Sequence, residues 1–477
     1  MPLHTANIIG SGPNGLAAAI TLAQRGVAVT VYERNAQLGG ACSTAEVTLP
    51  GFRHDLGASV FPLGVASPFF RALPLEQYGL RWIQPDAPLA HPLDDGTALL
   101  LEHSLDATAA QFNAHDARAW RLLLASSVRD WPTLVNEVTR PLLRLPRSPI
   151  VMATFGAAGM MPAQALARTI FRDEPARALF AGCAAHSVLP LTQVASSAPG
   201  LVLAAAAHTT GWPIAAGGAQ AVTDALAAYL RSLGGTIVLN TEVSQLSDLP
   251  PADATLFDTS IATLDNLAGD TFTPGYRKVL RGFQHGPGIF KLDFALREPI
   301  PWRAAACSRA ATVHLGGTLD EIALSEDAAF HGRPFDPATA KPFVLLVQPS
   351  LFDPTRAPAG KHTAWAYCHV PYGSTENLTT IVEAQIERFA PGFRECILAS
   401  RASNAADLAR WDPNLAGGDI SGGAMTLSQL ILRPTERLYA TSNPSVYLCS
   451  SSTPPGGGVH GMNGHLAALA ALEGTGN

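Results

Sequence analysis

Two groups of residues in this 477-residue chain have the types and spacing to do chemistry. The first is Gly10, Gly12 and Gly15 in NIIGSGPNGLAAAITLAQRG, followed by Glu33 at the end of a β-rich run. Between a strand and a helix, the first glycine permits a tight turn and the second lets the backbone approach a pyrophosphate. The third lets helix and strand pack closely. The helix start, with Ser11, Pro13 and Asn14 around it, would face the phosphates. Glu33 stands where a carboxylate holds ribose hydroxyls. The second group is Trp365, Tyr367 and His369 in WAYCHVP. Alternate strand positions share a face, so an indole, a phenol and an imidazole would meet one cavity. There they could stack on a ring or move a proton. The competing reading is a packed aromatic face with satisfied polar tips.

A third stretch, PPGGGVHGMNGHLAALAAL, repeats the first spacing with Gly456, Gly458 and Gly461. A second dinucleotide unit would need another strand and an acidic residue after the helix, and only five residues follow Leu472. The stretch therefore reads as strand, glycine turn and helix start. Gly457, Gly458, Val459, His460, Gly461 and Met462 are expected to offer N–H groups to an anion. The two ends of the chain would then build one site. His460 either touches the ligand or caps the helix.

Further motifs carry a resemblance. Arg34, Gly39, Gly40, Ala41 and Cys42 resemble the R-x4-GG signature of glutathione-reductase-like flavoproteins, and HDLGAS, with Ala58 and Ser59, follows where that superfamily brings its chain to the flavin ring. FAD is therefore the expected cofactor. The C-terminal turn would face the charge that reduced flavin carries around N1 and O2. Over nearly its whole length the chain resembles the phytoene desaturase branch of the flavin amine-oxidase-like superfamily. More narrowly, it resembles the phytoene-dehydrogenase-related "pyridine nucleotide-disulphide oxidoreductase domain" proteins. The segments are IIGSGPNGLAAAITLAQRG, YERNAQLGGACST, RHDLGAS, GWPIAAGGAQAVTDAL, TVHLGGTLDEI, QPSLFDPTRAPAGKHTAWAYCHVPYGS, ERFAPGF and CSSSTPPGGGVHGMNG. The first and last are specific for the flavin fold.

The resemblance implies an α/β, glutathione-reductase-like Rossmann FAD domain that is discontinuous, spanning 1–65, 211–285 and 425–477. An α+β substrate domain would take 66–210, its helical part, and 286–424. The resemblance also places the backbone of Val243 against the adenine. Asp258, in ATLFDTS, departs from the plain "AT" of many relatives, which leaves the local flavin contact open.

The elements that must position these groups follow from periodicity. Leu16, Ala19, Ile20 and Ala23 recur at helical spacing, and VAVTVYER is a strand. ADATLFDTS, FVLLVQPS, KHTAWAYCHVP and SVYLCSSST read as strands, and so does KVLRGFQHGPGIFKLDFAL with its turns. Two runs without formal charge, between Arg147 and Arg168 and between Arg177 and Asp224, read as buried helices around an apolar space, since prolines interrupt them. Arg140, Arg144 and Arg147 before the first run suit the other reading, a helix lying in a membrane surface.

Bulk composition narrows the class. Charged residues make up only 15%, against about 25% in typical domains. The net charge of −6 and the lack of basic runs argue against nucleic acid. Six scattered cysteines form no C-x-x-C, so neither a disulfide framework nor a zinc site is expected, and a reduced cytoplasmic protein fits. A first strand near Thr5 leaves no room for a targeting peptide. No metal is expected.

The expected function is an FAD-dependent oxidoreductase acting on an apolar, polyene- or isoprenoid-like substrate by hydride transfer to or from flavin N5. Oxygen or a quinone would be the electron acceptor. Tyr367, His369 and His460 are the catalytic candidates. An amine oxidase and a reduced-flavin isomerase are variants. A flavin-free lipid- or protein-binding module like the GDP-dissociation inhibitors is the alternative of another class.

Overall fold

The computed structural model describes residues 3–336 and 339–474. Two sheets organise them. The first is five-stranded and wholly parallel, in the order Val446–Leu448, Ala254–Phe257, Thr5–Ile9, Ala28–Tyr32, Thr236–Val238. Its strands come from the start, middle and end of the chain. Ile8, Val31 and Leu256 are fully buried in it, as expected of a parallel sheet covered on both faces.

The helix Pro13–Ala23 leaves the first strand through Gly10, whose φ of +98° a residue with a side chain rarely adopts. Proline stands at the helix start, where its missing N–H costs nothing. The final helix, Met462–Gly474, packs directly on this first helix.

The second sheet has seven strands, in the order Ile397–Ser403, Gly288–Leu296, His362–Val370, Val344–Val347, Ala310–Leu315, Ala87–Pro92, Ala98–Leu101. Alternation divides His362–Val370 between two cores. Ala364, Ala366 and Cys368 join one apolar cluster, while Trp365 and Tyr367 join the other, beneath the helices Glu174–Ala184 and Ser197–Ala207.

Three expectations need correction. The stretch 66–210 is not simply helical: Ala87–Pro92 and Ala98–Leu101 belong to the large sheet. Ala87–Pro92 is buried at every position, so it lacks the alternation that marks a half-exposed strand, and three prolines nearby read as loop punctuation. The segment from Lys278 begins in a helix, Pro274–Arg281, before the strand at Gly288. The uncharged run after Arg147 is buried mainly toward its end, at Ala163, Leu166 and Ala167. In the helix Pro149–Gly159 only Gly159 is buried, and Ile150 is 81% exposed. The second uncharged run does supply a buried helix, Ser197–Ala207.

Among the described residues no single helix is long and apolar enough to cross a membrane. The helices Pro149–Gly159 and Ala163–Ile170 form an apolar pair bent by 87°.

Candidate functional site

A single cavity of about 970 Å³ runs from the glycine turns to the large sheet. At one end Gly10, Ser11, Gly12, Pro13 and Asn14 form its wall with Glu33 and Arg34. Gly40, Ala41, Cys42, Ala58 and Ser59 continue the wall, and Val243 closes it on one side. From the far end of the chain, Gly457, Gly458, Val459 and His460 line the same space. Gly15, Gly39, Gly461 and Met462 stand behind the wall and act through packing. A Cβ at Gly15 would lie 2.2 Å from the Gly10 carbonyl oxygen, and one at Gly461 would lie 2.7 Å from the Phe70 ring.

Glu33 is 6% exposed, at the end of its strand. One carboxylate oxygen accepts from the backbone N–H and the hydroxyl of Ser11, at 3.1 and 2.6 Å, and the other accepts from the Asn35 N–H at 2.9 Å. Its position is thereby fixed. Thr241 N–H donates to the Glu33 carbonyl at 2.8 Å, which brings the segment carrying Val243 alongside. The Arg34 guanidinium donates to the Trp411 carbonyl at 2.6 Å.

The sequence singled out Asp258 only as a departure. Its carboxylate accepts the Gly15 N–H at 2.8 Å, at the mouth of the first helix. Burial pushes this acid up to about 7, and the charges of Asp412 and Glu33 push the same way against the Gly15 hydrogen bond.

His460 is placed at both the cavity and the helix start. It lines the cavity, and its Nδ1 accepts the Met462 N–H at 3.1 Å, capping the final helix. Burial lowers its pKa to about 4, so it is neutral at pH 7.

Ala58 donates its N–H to the Ala41 carbonyl at 3.0 Å, and Ser59 is held by a network the sequence did not reveal. Asp55, beneath them, accepts from Thr44, from the Ala219 N–H and from the Ser59 hydroxyl, and pairs with Arg356 at 2.8 Å, both side chains being buried. Burial alone would raise the Asp55 pKa, but Arg356 and these bonds outweigh it and hold the carboxyl below its usual value. Asp55 and Arg356 lie about 300 residues apart in sequence, so no local pattern could have joined them.

At the other end, Trp365, Tyr367 and His369 line the cavity from one strand face, as alternation predicts. The rings of Trp365 and Tyr367 stack at 5.5 Å. Lys291, on the neighbouring strand, lies 5.3 Å from the Trp365 ring centre and forms a buried ion pair with Asp293. His369 Nδ1 sits 2.8 and 2.9 Å from the two carboxylate oxygens of Glu326. Sequence reasoning missed Lys291, Asp293 and Glu326, because a lone charge in an apolar run gives no sign of its partner.

A dinucleotide fits this cradle. The N-cap Gly12 gives the first helix no side-chain cap, and the Asn14 side-chain oxygen is buried without a partner at the cavity wall. These are the marks of a helix start prepared for a ligand.

Comparison with known proteins agrees. Residues 8–73 match the NAD(P)-binding Rossmann-like domain family. The chain is 28% identical to the pyridine nucleotide-disulfide oxidoreductase domain-containing protein 2 of Mus musculus, over 98% of this chain and 93% of that one. It is 25% identical to the lycopene-forming phytoene desaturase of a Paracoccus strain, over 98% and 97% of the two chains. A double mutant of putrescine oxidase shares the fold, with a TM-score of 0.65 at 16% identity and full coverage of both chains. With this cradle and these relatives, the chain is an oxidoreductase that is similar in sequence to a phytoene desaturase and in fold to a flavin amine oxidase.

Proposed function

We propose that this enzyme uses FAD to add hydride to, or remove it from, an apolar substrate of polyene or isoprenoid type. The observation that carries the reading is the continuity of the cavity. Glu33 and the glycine turns stand at one end, and apolar walls with the stacked pair Trp365 and Tyr367 stand at the other. Bound FAD supplies hydride acceptance and donation at N5. Ser11, Gly12 and Asn14 would hold its pyrophosphate, Glu33 a ribose, and the turn Gly457–His460 the flavin end. The chain's own task is to hold the substrate against the ring and exclude water from it. Oxygen or a quinone would take the electrons.

Entry of a lipid-soluble substrate is supported by one stretch of the cavity wall, formed by Arg140, Leu142, Met152 and Phe155, of which Leu142 is 46% exposed. Leu143, Leu145 and Ile150 are exposed beside it, 48%, 94% and 81% respectively. Such an apolar patch among arginines suits the surface of an anionic membrane, and we place the enzyme at the cytoplasmic face of one. The test is anaerobic reduction of the purified flavoprotein, followed by a screen of polyene, isoprenoid, quinone and amine compounds. Reoxidation by amine-derived imines with no response to any polyene or isoprenoid would overturn the substrate class.

A further inference from the structure

The end of the cavity at the large sheet carries three buried polar atoms without a partner, the Thr312 hydroxyl, Trp365 Nε1 and His369 Nε2, and only the last is an imidazole held by a carboxylate. His369 is 1% exposed and so is Glu326, which reaches it from the helix Leu319–Phe330. Nearly equal distances from Nδ1 to both carboxylate oxygens are those of an Nδ1–H bridging a carboxylate. With Nδ1–H on the carboxylate, a neutral imidazole presents Nε2 as a lone-pair acceptor. Nε2 is buried, has no partner, and belongs to a residue that lines the cavity.

The surroundings offer nothing to satisfy it. His186, which also lines this end, is engaged with His314, Nε2 to Nε2 at 3.1 Å. Burial lowers His186 to about 3 and His314 well below its usual value, so both are neutral. The Tyr367 ring meets His369 edge to face at 5.7 Å. The other walls here are Ile289, Thr312, Leu345, Val347 and Trp365.

We infer that the Glu326–His369 pair is a recognition site for a hydroxyl group on the substrate, with Nε2 accepting the substrate O–H. This rests on the oxidoreductase reading and narrows it: the substrate is an apolar alcohol rather than a pure hydrocarbon. A hydrocarbon would leave a buried acceptor unpaired, which is costly. An ammonium group fits less well, because both Glu326 oxygens already serve His369 and a buried cation needs a direct partner. Glu326 acts as a positioning residue, fixing the tautomer that turns the Nε2 lone pair to the cavity.

The test is calorimetric titration of the full-length, FAD-loaded protein at pH 8 with decan-1-ol and with decyl methyl ether, which keeps the oxygen and lacks the donor. The alcohol should bind at least tenfold more tightly. The double variant E326L/H369F removes both buried polar groups together, so neither is left stranded, and it should bring the two affinities within twofold while retaining FAD. Tyr367→Phe should keep the preference. Equal wild-type affinities, no binding of either probe, a preference that survives E326L/H369F, or one lost in Tyr367→Phe would each overturn the inference. The wild-type comparison decides the matter by itself if the double variant does not fold. A chain that takes up no FAD yet prefers the alcohol fails the flavin reading and leaves this one standing.

Discussion

A methyl group at Gly464 would stand 1.8 Å from the carbonyl oxygen of Asn14. The last helix therefore lies with its first turn against the first turn of the first helix, and only a residue without Cβ allows the approach. Both glycine turns are held to one cavity by this crossing. Gly464→Ala should lower the thermal midpoint by several degrees and reduce bound FAD. The control is Gly275→Ala, in the helix Pro274–Arg281, where a Cβ meets nothing within 4 Å. It should be neutral or stabilising by up to about 1 kcal/mol. Thermal unfolding with measured flavin content checks both, and an unaffected Gly464→Ala protein would mean the ends are not locked together.

Glu33→Ala should weaken FAD binding about tenfold or more. Losing a hydrogen bond to a charged group costs roughly 1.5–3 kcal/mol, and here the carboxylate also anchors Ser11. Fluorescence titration of apoprotein with FAD measures it; unchanged affinity would remove Glu33 from the site.

Asp258 gives a pH dependence with a definite sign. Its folded pKa of about 7 lies above the ordinary carboxylate value of 3.8. The folded protein thus holds a proton that the unfolded chain has lost between about pH 4 and 7. This contribution to stability is complete below pH 4, falls as pH rises through that window, and is lost above it. Asp258→Asn should gain stability relative to wild type as pH rises from 5 to 8. The comparison must be between variants, because burial holds His54, His91, His208, His460 and His465 near 4. Those groups make both proteins less stable as pH falls below about 6.5. Bound FAD adds phosphate charge beside Asp258, so wild-type FAD affinity should also fall above pH 7 and that of Asp258→Asn should stay flat. Parallel pH curves for the two proteins would contradict the assignment.

Changing Arg140, Arg144 and Arg147 together to Gln should weaken co-flotation with anionic liposomes at low salt. Each basic residue near such a surface is worth about 1 kcal/mol, so loss of three should reduce binding by tenfold or more. No flotation of wild type, or equal flotation of both, would return the exposed patch to an ordinary surface.

The sequence made the Rossmann turn legible because glycines, helix and Glu33 follow one another within one short unit. Alternation alone placed Trp365, Tyr367 and His369 on one face. What stayed hidden was pairing at a distance: Glu326 with His369, Arg356 with Asp55, Asp258 with Gly15. Each partner is a single polar residue in an unremarkable segment, and only the fold brings it across. The strand Ala87–Pro92 was hidden for another reason, since burial on both faces removes the period that reveals a strand. For the helix Pro149–Gly159, lack of charge suggested burial, yet Ile150 stands exposed and Val151, Met152 and Phe155 are only partly covered.

The most direct test of one FAD site built from both ends of the chain is the flavin content of the full-length protein after reconstitution. The account predicts close to one FAD per chain for wild type, released as intact FAD on denaturation, and a marked loss in both Glu33→Ala and Gly464→Ala. A colourless wild-type protein that takes up no FAD would contradict it, and so would full loading of both variants with unchanged affinity.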